Sequence, residues 1–379
     1  MYARKINLTD YDGLSIFLWG ARQTGKSTLL KKEYPDSLYI DLLLSVEFRR
    51  YLDSPEQFRQ RCIANHNNKP IIVDEIQKLP ELLNEIHWMI ENENITFIMS
   101  GSSPRKILRK NVNLLGGRAI RLELYPLTYA EIPDFDILRA FNNGLLPKMY
   151  DAKHASLLQD AYIGSYLEDE IIAETKIRNV EIFSRFLTKA AYANGEFVNY
   201  TNIAQDCGVA SSTIKEYYQI LEETLIGSFV HSFQKKPKRR VVLAPKFYFF
   251  DVGVANYLLK RKNIEWGTVD AGHCFEHFIY MELKAYAQYS GKRFPIKYWH
   301  TTSQLEVDFI LGDHEVAIEV KSTDNVQNRH FKGLKSFSEE YAAGKQIIVS
   351  NDPFIRRSNE ILIYPWAVFL DKLWAGEII

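Results

Sequence analysis

The chain has 379 residues, with 47 basic and 47 acidic side chains and a formal net charge of zero at pH 7. Hydrophobic residues make up 46% and charged residues 25%, which excludes a disordered, collagen-like or uniformly polycationic chain. At about 150 residues per domain, this length predicts two or three domains. Zero net charge does not exclude nucleic-acid binding, because a basic patch on one domain can be offset elsewhere.

Cysteine content and apolar runs indicate the compartment. Three cysteines in a chain of this length make no disulfide framework and indicate a reducing environment. No apolar run reaches the ~18 residues that a membrane-spanning helix needs. The start of the chain lacks the apolar core of a signal peptide. The sequence therefore predicts a cytoplasmic protein with no membrane contact.

The first motif follows a short apolar run at residues 14–19. Residues 20–28 read GARQTGKST and precede a helical pattern, so they match G-x-x-x-x-G-K-[ST] between a strand and a helix. In such a loop, backbone N–H groups surround the phosphates, Lys26 neutralises them and the Ser27 hydroxyl can bind Mg²⁺. This pattern predicts an ATP site with Mg²⁺. The predicted nucleotide-binding residues of the loop are Gly20, Arg22, Gln23, Thr24, Gly25, Lys26, Ser27 and Thr28.

The second motif is an apolar strand at residues 70–73 that ends in Asp74 and Glu75. Phosphoryl transfer from ATP needs a carboxylate near Mg²⁺ and a group that orients the attacking water. We predict that Asp74 acts on the metal through its water shell and that Glu75 is the general base. The same two residues could instead only begin a helix.

A third strand, at residues 95–100, leads into a serine-rich turn. Ser102, with Ser100 as the second choice, could contact the γ-phosphate from the end of a neighbouring strand. Both serines could equally serve only to cap the next helix.

An arginine follows a flexible Gly-Gly turn further along the chain. Arg118 could act as an arginine finger, either on its own nucleotide site or on that of a neighbouring subunit. An ordinary surface arginine is the alternative.

Strands that alternate with helices and carry these loops predict a parallel α/β sheet. On these motifs the chain resembles the bacterial and archaeal AAA-type P-loop ATPases that carry a C-terminal domain long described as of unknown function. That family usually has two glycines before a hydrophobic-Pro step, whereas here only Gly144 precedes residues 145–147. The resemblance implies active sites built between subunits, and hence a homo-oligomer. The residues that carry the resemblance to this family are 20–27, 73–77, 100–102 and 121–131.

The middle of the chain begins with a helical pattern at residues 155–187, in which the acidic residues 168–170 predict a solvated face. Its apolar face is predicted from Tyr162, Tyr166, Ile171 and Ile172. Residues 202–221 then predict two helices joined by a tight turn at Gly208, with Ser211 or Ser212 capping the second helix.

A predicted wing follows the two helices. Residues 225–233 alternate as a strand, five of the six residues at 235–240 are basic, and a short apolar strand follows at 241–243. A winged helix binds DNA with its second helix in the major groove and its wing on the phosphates. It can alternatively serve as a lid or dimer module. The predicted outward-facing residues of the second helix are Thr213, Lys215 and Tyr218.

Carboxylates with metal-binding spacing occur in the C-terminal segment. Residues 305–311 and 316–321 predict two strands around a short turn. Because residues two apart share a face of a strand, Glu319 and Lys321 point the same way, and a two- or four-residue turn would bring Asp308 to that face. Two carboxylates can bind Mg²⁺ or Mn²⁺, and a nearby lysine can orient or activate the water that attacks a phosphodiester.

This set of residues resembles the PD-(D/E)xK nuclease fold, to which the C-terminal domain of the family is similar. Asp308, Glu319 and Lys321 match the motif, and Glu276 matches its acid on a preceding helix. The resemblance implies catalytic roles for the first three, with metal bound by Glu276, Asp308 and Glu319. An ordinary hairpin, or an intact fold that grips nucleic acid without cleaving it, are the alternatives.

The sequence therefore predicts three parts. These are a P-loop AAA-type ATPase domain at 1–148, a helical linker and winged helix at 149–245, and a restriction-endonuclease-like α/β domain at 246–379. The predicted function couples ATP turnover to nucleic-acid binding or metal-dependent cleavage, with DNA favoured over RNA. The rival is an ATP-driven regulatory switch whose C-terminal domain only binds nucleic acid or protein.

Overall fold

The computed structural model describes residues 2–105, 107, 115–164, 179–235 and 239–379. Several sequence predictions lie outside the described residues, namely those for Tyr166, 168–170, Ile171, Ile172, Lys236 and Lys238. The described residues form two compact units. The N-terminal unit comprises residues 6–126 and 223–226, and the C-terminal unit comprises residues 1–5, 127–222 and 227–379. The three domains at 1–148, 149–245 and 246–379 stay a prediction from the sequence.

A five-stranded sheet with the order β2-β3-β4-β1-β5 forms the centre of the N-terminal unit, and each neighbouring pair is parallel. Its inner strands are buried on both faces, which explains their continuous apolar runs. The parallel α/β sheet is thus confirmed, and it is consistent with a P-loop NTPase-like domain. The strands are β1 (Ser15–Trp19), β2 (Tyr39–Asp41), β3 (Ile71–Asp74), β4 (Phe97–Gly101) and β5 (Ala119–Glu123). The described α-helices are α1 (Lys26–Glu33), α2 (Ser45–Asp53), α3 (Pro55–Ala64) and α4 (Leu82–Glu93).

The order of the strands determines which loops meet. Parallel strands end at the same edge of a sheet, so the segments after β1, β3 and β4 share one edge. These segments carry the glycine-rich loop, Glu75 and Ser102, respectively. Ser100 of β4 pairs with Asp74 of β3 on one side and with Leu18 of β1 on the other. All three motifs therefore lie at the carboxyl edge of the sheet.

The C-terminal unit contains an eight-stranded mixed sheet with the order β12-β13-β11-β10-β9-β8-β6-β7. Its strands are β6 (Gly227–Ser232), β7 (Lys246–Phe249), β8 (Ile296–His300), β9 (Glu306–Leu311), β10 (Val316–Lys321), β11 (Lys345–Ser350), β12 (Arg356–Ser358) and β13 (Ile361–Pro365). The described α-helices are α5 (Ile137–Asn143), α6 (Ala155–Tyr162), α7 (Val180–Tyr192), α8 (Tyr200–Cys207), α9 (Ser211–Glu223), α10 (Val252–Leu258), α11 (Val269–Tyr289), α12 (Lys332–Tyr341) and α13 (Trp366–Trp374).

Helices cover the C-terminal sheet through two separate apolar cores. Phe278 of α11 belongs to the same cluster as Ile318, whereas Phe337 of α12 belongs to the same cluster as Ala317. Neighbouring residues of β10 therefore enter different cores, as the alternation of side chains along a strand requires. The sheet buries β9 and β10 almost completely, which determines the environment of their carboxylates.

The predicted wing differs from the structure. The two helices and their turn are present, with Gly208 at φ 71° between α8 and α9. However, β6 pairs with β7 and β8, and Val241 instead forms a bridge with Thr301. The predicted partner strand at 241–243 is therefore wrong in the described residues, because the antiparallel partner of β6 is β7, at Lys246–Phe249.

One predicted outward-facing residue of the second helix is wrong. Tyr218 is fully buried, and its ring contacts those of Phe186, Phe229 and Phe247. Lys215 is exposed and Thr213 partly exposed. The aromatic cluster takes Tyr218 because large aromatic rings gain most from burial.

In the described part of the chain, no helix combines the length and apolar character that a bilayer-spanning segment requires.

Candidate functional site

The glycine-rich loop is held closely against the sheet. A Cβ atom on Gly20 would lie 2.4 Å from the carbonyl oxygen of Leu124, so only glycine fits there. Gly25 has φ 97° and precedes the first turn of α1, which is a left-handed conformation that glycine adopts without strain. Thr24 Oγ1 donates to the carbonyl of Ala21 at 2.9 Å and closes the turn.

The Lys26 side chain is buried within this loop, and its Nζ donates to the carbonyls of Gly20 at 2.6 Å and Ala21 at 3.1 Å. The positive charge thus lies among the backbone groups that the sequence assigns to phosphate binding. The predicted loop residues Arg22, Gln23 and Thr28 are exposed.

Three hydroxyl groups converge on the buried carboxylate of Asp74. Ser27 Oγ donates to Oδ2 at 2.6 Å, Tyr39 OH donates to Oδ2 at 2.5 Å, and Ser100 Oγ donates to Oδ1. Burial and the bond to Asp74 raise the pKa of Tyr39 well above its ordinary value. A serine hydroxyl beside a carboxylate is a donor set that suits Mg²⁺, so Ser27 and Asp74 fit the predicted metal role. Tyr39 lies on the neighbouring strand β2, outside the motifs that the sequence shows.

Glu75 follows Asp74 with φ 61°, in the left-handed region that non-glycine residues seldom adopt. Its Oε2 accepts a hydrogen bond of 2.5 Å from Gln77 Nε2. The same amide nitrogen donates to Ser102 Oγ at 3.0 Å. The structure thus links the predicted general base to the predicted phosphate contact through Gln77, which the sequence analysis did not select.

Arg118 is not brought to the loop of its own chain. It precedes Ala119, which pairs with Ser15 at the start of β1, whereas the loop begins after the end of β1. The two therefore lie at opposite edges of the sheet, separated by a strand of about 16 Å. The Arg118 side chain forms an ion pair with Glu91 instead. Within one chain Arg118 thus does not reach the loop, and its role as an arginine finger stays a prediction.

The C-terminal unit contains a cluster of carboxylates on β9 and β10. The four residues 312–315 connect these antiparallel strands, and Ile318 pairs with Phe309, which brings Glu319 next to Asp308 as predicted. Lys321 Nζ lies 2.6 Å from Glu319 Oε1. One carboxylate oxygen each from Glu306, Asp308 and Glu319 lies within 4.8 Å of the others.

Burial makes the charges of this cluster costly. It raises the pKa of Asp308 to about 7 and that of Glu319 well above its ordinary value, in both cases against the opposing effect of Lys321. Asp308 Oδ2 accepts from the backbone N–H of Val320 at 2.7 Å. Glu319 Oε2 is buried and has no hydrogen-bond partner among the described residues. An unpartnered buried carboxylate oxygen beside two further carboxylates fits a divalent cation.

Glu276 has a different environment from the one predicted. Its Oε1 accepts hydrogen bonds from Lys246 Nζ at 3.0 Å and from Tyr248 OH at 2.6 Å. Burial opposes ionisation of Glu276, but the charges of Lys246 and Lys321 and the hydrogen bonds from Tyr248 and Lys246 together outweigh it and lower the pKa. The carboxylate that joins Asp308 and Glu319 in the structure is Glu306, which the sequence analysis missed. It lies two residues before Asp308 on the same strand, so the period of a strand could have identified it.

The basic run at 235–240 is partly neutralised within the chain. Lys235 forms an ion pair with Asp313. Arg239 reaches Glu339 at 2.9 Å and Glu340 at 3.2 Å, both on α12. These contacts support a structural role for at least part of the run.

Three family models match successive parts of the chain. Residues 13–133 match the family described as an AAA domain. Residues 135–265 and 271–369 match two families described as domains of unknown function, DUF8612 and DUF4143. The AAA match suggests ATPase activity, whereas the other two family descriptions carry no activity.

Three relatives are similar to most of the chain, and each is described as an uncharacterised protein. One from Mycobacterium bovis is 24% identical over 81% of this chain and 70% of its own length. One from Haemophilus influenzae is 20% identical over 80% of this chain and 81% of its own length. One from Methanocaldococcus jannaschii is 20% identical over 85% of this chain and 77% of its own length.

Proposed function

We propose that this chain, which carries an AAA domain at residues 13–133 and a DUF4143 domain at residues 271–369, binds and hydrolyses MgATP at its glycine-rich loop. The observation that carries the proposal is the hydrogen bond of 2.6 Å that Ser27 Oγ donates to Asp74 Oδ2. It joins the loop to the acidic end of the neighbouring motif at one sheet edge, where the two together can hold a metal–phosphate complex.

Each residue has a role that follows from its position. Lys26 exchanges the carbonyls of Gly20 and Ala21 for phosphate oxygens, which are stronger acceptors for an ammonium group. Ser27 and Asp74 would hold Mg²⁺, which neutralises charge on the phosphates when it is bound. Glu75 accepts a proton from the attacking water as the water oxygen bonds to the γ-phosphorus, and the bond from that phosphorus to the bridging oxygen breaks to release ADP. Ser102 contacts a γ-phosphate oxygen.

Lys26→Ala tests nucleotide binding at this loop, with Lys32→Ala as the matched control. Lys32 lies on the same helix but is exposed, beside Glu33 at 3.7 Å. Isothermal titration with MgATP should show binding to wild type and to the Lys32 variant, and at least tenfold weaker binding to the Lys26 variant because a charge-assisted contact is lost. Equal affinity of all three proteins would place the nucleotide elsewhere.

The carboxylate cluster favours a second activity. We propose that the C-terminal unit binds Mg²⁺ or Mn²⁺ through Glu306, Asp308 and Glu319 and acts on phosphodiesters of nucleic acid, with DNA favoured over RNA. The unpartnered Oε2 of Glu319 supports metal binding. Lys321, which lies 2.6 Å from Glu319, would orient or activate the attacking water. Glu276 would act on the cluster through its charge. ATP turnover would control access to this site.

The rival for this unit is a site that grips nucleic acid or protein without cleaving it. Incubation with Mn²⁺ and duplex, single-stranded and branched DNA and RNA separates the two. Cleavage that is lost in Asp308→Ala and kept in the exposed variant Asp313→Ala supports catalysis. Retention of nucleic acid in a binding assay, with no product from any substrate, supports the gripping role.

A further inference from the structure

Gln77 is a buried polar residue that the mechanism above does not use. It lies in the short 3₁₀ segment directly after β3 and is 2% exposed. Its amide nitrogen donates to Glu75 Oε2 at 2.5 Å and to Ser102 Oγ at 3.0 Å. A carboxylate can only accept hydrogen bonds, so the contact with Glu75 determines which end of the amide is the nitrogen.

The fold leaves space for this amide at Gly101. A Cβ atom at Gly101, the last residue of β4, would lie 2.1 Å from Gln77 Oε1 and 2.5 Å from the ring of Trp19. Any other residue at that position would displace the amide. The orientation of Gln77 therefore depends on a glycine that no turn requires, since Gly101 lies within a strand.

This arrangement does not favour stability. Gln77 Oε1 is buried without a hydrogen-bond partner among the described residues. Such an oxygen costs free energy on folding, whereas an apolar side chain of similar size would bury the same surface without that cost. A residue that the fold accommodates at a cost to stability, and that contacts two site residues, indicates a functional constraint.

Glu75 is the residue whose side chain needs to be held in place. Its backbone has φ 61°, a sparsely populated conformation for a residue with a side chain. The carboxylate must nevertheless be held in one position to take a proton from water, because general-base catalysis depends on geometry. Among the described residues, its hydrogen bond to the Gln77 amide is the contact that can supply this position.

We propose that Gln77 is a positioning residue for ATP hydrolysis, which links Ser102 to Glu75 and thereby couples γ-phosphate contact to the placement of the general base. The inference rests on the proposed ATPase function. A serine hydroxyl can donate to a phosphate oxygen while it accepts from an amide. Ser102 can thus contact phosphate and Gln77 at the same time, and the amide of Gln77 holds Glu75.

Gln77→Leu tests this role in the full-length protein, with Gln60→Leu as the matched control. Gln60 is exposed in the same unit and also donates to a glutamate, Glu56, at 3.1 Å. We expect kcat for ATP to fall about tenfold or more in the Gln77 variant, because the base is no longer held. KM and the affinity for MgATP should stay within about twofold, and Tm should stay the same or rise. The control should match wild type.

A double-mutant cycle with Ser102→Ala tests the link itself. If the two residues act as one chain, the loss of kcat in Gln77→Leu/Ser102→Ala is smaller than the product of the two separate losses. Unchanged kcat in Gln77→Leu, or a loss of kcat that accompanies a lower Tm, would overturn the positioning role. Independent losses in the cycle would overturn the coupling. Absence of hydrolysis by the wild type would instead contradict the proposed function.

Discussion

At the scale of single residues, Asp74 shows how neighbouring strands build one site. Ser27, Tyr39 and Ser100 come from three separate segments, and their hydroxyl groups all donate to this carboxylate. Two donors hold Oδ2 and one holds Oδ1, which orients the side chain at the sheet edge. Tyr39 is therefore a part of the candidate Mg²⁺ site that sequence motifs do not include.

Tyr39→Phe removes one of these donors and keeps the ring. We expect the Mg²⁺ concentration for half-maximal ATPase activity to rise about threefold to tenfold, since one hydrogen bond contributes on the order of 1 kcal/mol. Phosphate release measured across a Mg²⁺ titration checks this. Tyr34→Phe, at a half-buried tyrosine of the same unit, is the control. An unchanged Mg²⁺ dependence in Tyr39→Phe would show that this hydroxyl does not contribute.

Glu282 is a buried acid of a different kind, which lies on α11 and belongs to neither candidate site. Its oxygens accept from the backbone N–H of Tyr129 and from Trp374 Nε1, each at 2.8 Å. Burial, with a smaller contribution from Glu131, raises the pKa of Glu282 to about 8 despite these two bonds. The folded protein thus binds a proton that the unfolded chain, with an ordinary glutamate pKa, has lost.

This difference predicts a dependence of stability on pH. Between about pH 4.5, the ordinary pKa, and pH 8, the folded state holds more protons than the unfolded state, so the free energy of unfolding should fall as pH rises through this window. Glu282→Gln should flatten the change in urea midpoint between pH 5 and pH 8. The exposed Glu265→Gln is the control. An identical slope in Glu282→Gln and wild type would assign the dependence to other groups.

At the scale of elements, the hairpin of β9 and β10 brings together groups that repel one another. Glu306, Asp308 and Glu319 place three carboxylate oxygens within 4.8 Å. Burial raises the pKa values of Asp308 and Glu319 even beside Lys321, and the charge of Asp308 raises that of Glu319 further. A divalent cation would remove the repulsion and give Glu319 Oε2 a partner.

Metal binding at the hairpin should therefore stabilise the C-terminal unit. Addition of Mn²⁺ at about 100 times its Kd should stabilise the wild-type protein by about 2.7 kcal/mol, seen as a higher Tm. Asp308→Asn should lose most of this increase, whereas Asp313→Asn, in the turn of the same hairpin, should keep it. An equal increase in Tm for both variants would place the metal at another site.

The features that the sequence could predict are those formed by residues close together along the chain. The P-loop, the acidic strand end and the β9–β10 hairpin each lie within a few consecutive residues, so spacing alone placed Lys26, Asp74 and Asp308 correctly on their elements. The second strand of the wing was placed wrongly at 241–243, because β6 pairs antiparallel with β7 at residues 246–249, and on its other side with β8, whose residues lie far along the chain. Similarly, local spacing cannot predict the buried site of Glu282, since its partner Tyr129 is 153 residues away.

At the scale of the whole molecule, most of the segment that matches the AAA domain family, residues 13–133, lies in the N-terminal unit, whereas the carboxylate cluster lies in the C-terminal unit. If binding of MgATP changes the affinity of the cluster for nucleic acid, nucleic acid should change the affinity for MgATP by the same factor, because coupling between two binding sites is reciprocal. ATPase assays with panels of DNA and RNA identify the effector class, and stimulation by protein partners alone would favour the regulatory switch.

Arg118 leads to a prediction about assembly. Because it lies at the opposite sheet edge from its own loop, a role as an arginine finger requires a second copy of the chain. We expect light scattering to show an oligomer when ATP is added to the Glu75→Gln protein, in which nucleotide persists. If Arg118 acts on the nucleotide site of a neighbouring subunit in that oligomer, Arg118→Ala should lower kcat. A strict monomer with and without ATP would remove Arg118 from the site.

The most direct test of the ATPase proposal is phosphate release by wild type and Glu75→Gln under saturating MgATP. Loss of a general base lowers turnover by about 10² to 10⁴ while nucleotide binding is kept. We therefore predict steady release by wild type, at least about hundredfold slower release by the variant, and equal affinity of both for MgATP. Equal release by the two proteins, or binding of MgATP with no release by wild type, would contradict the account.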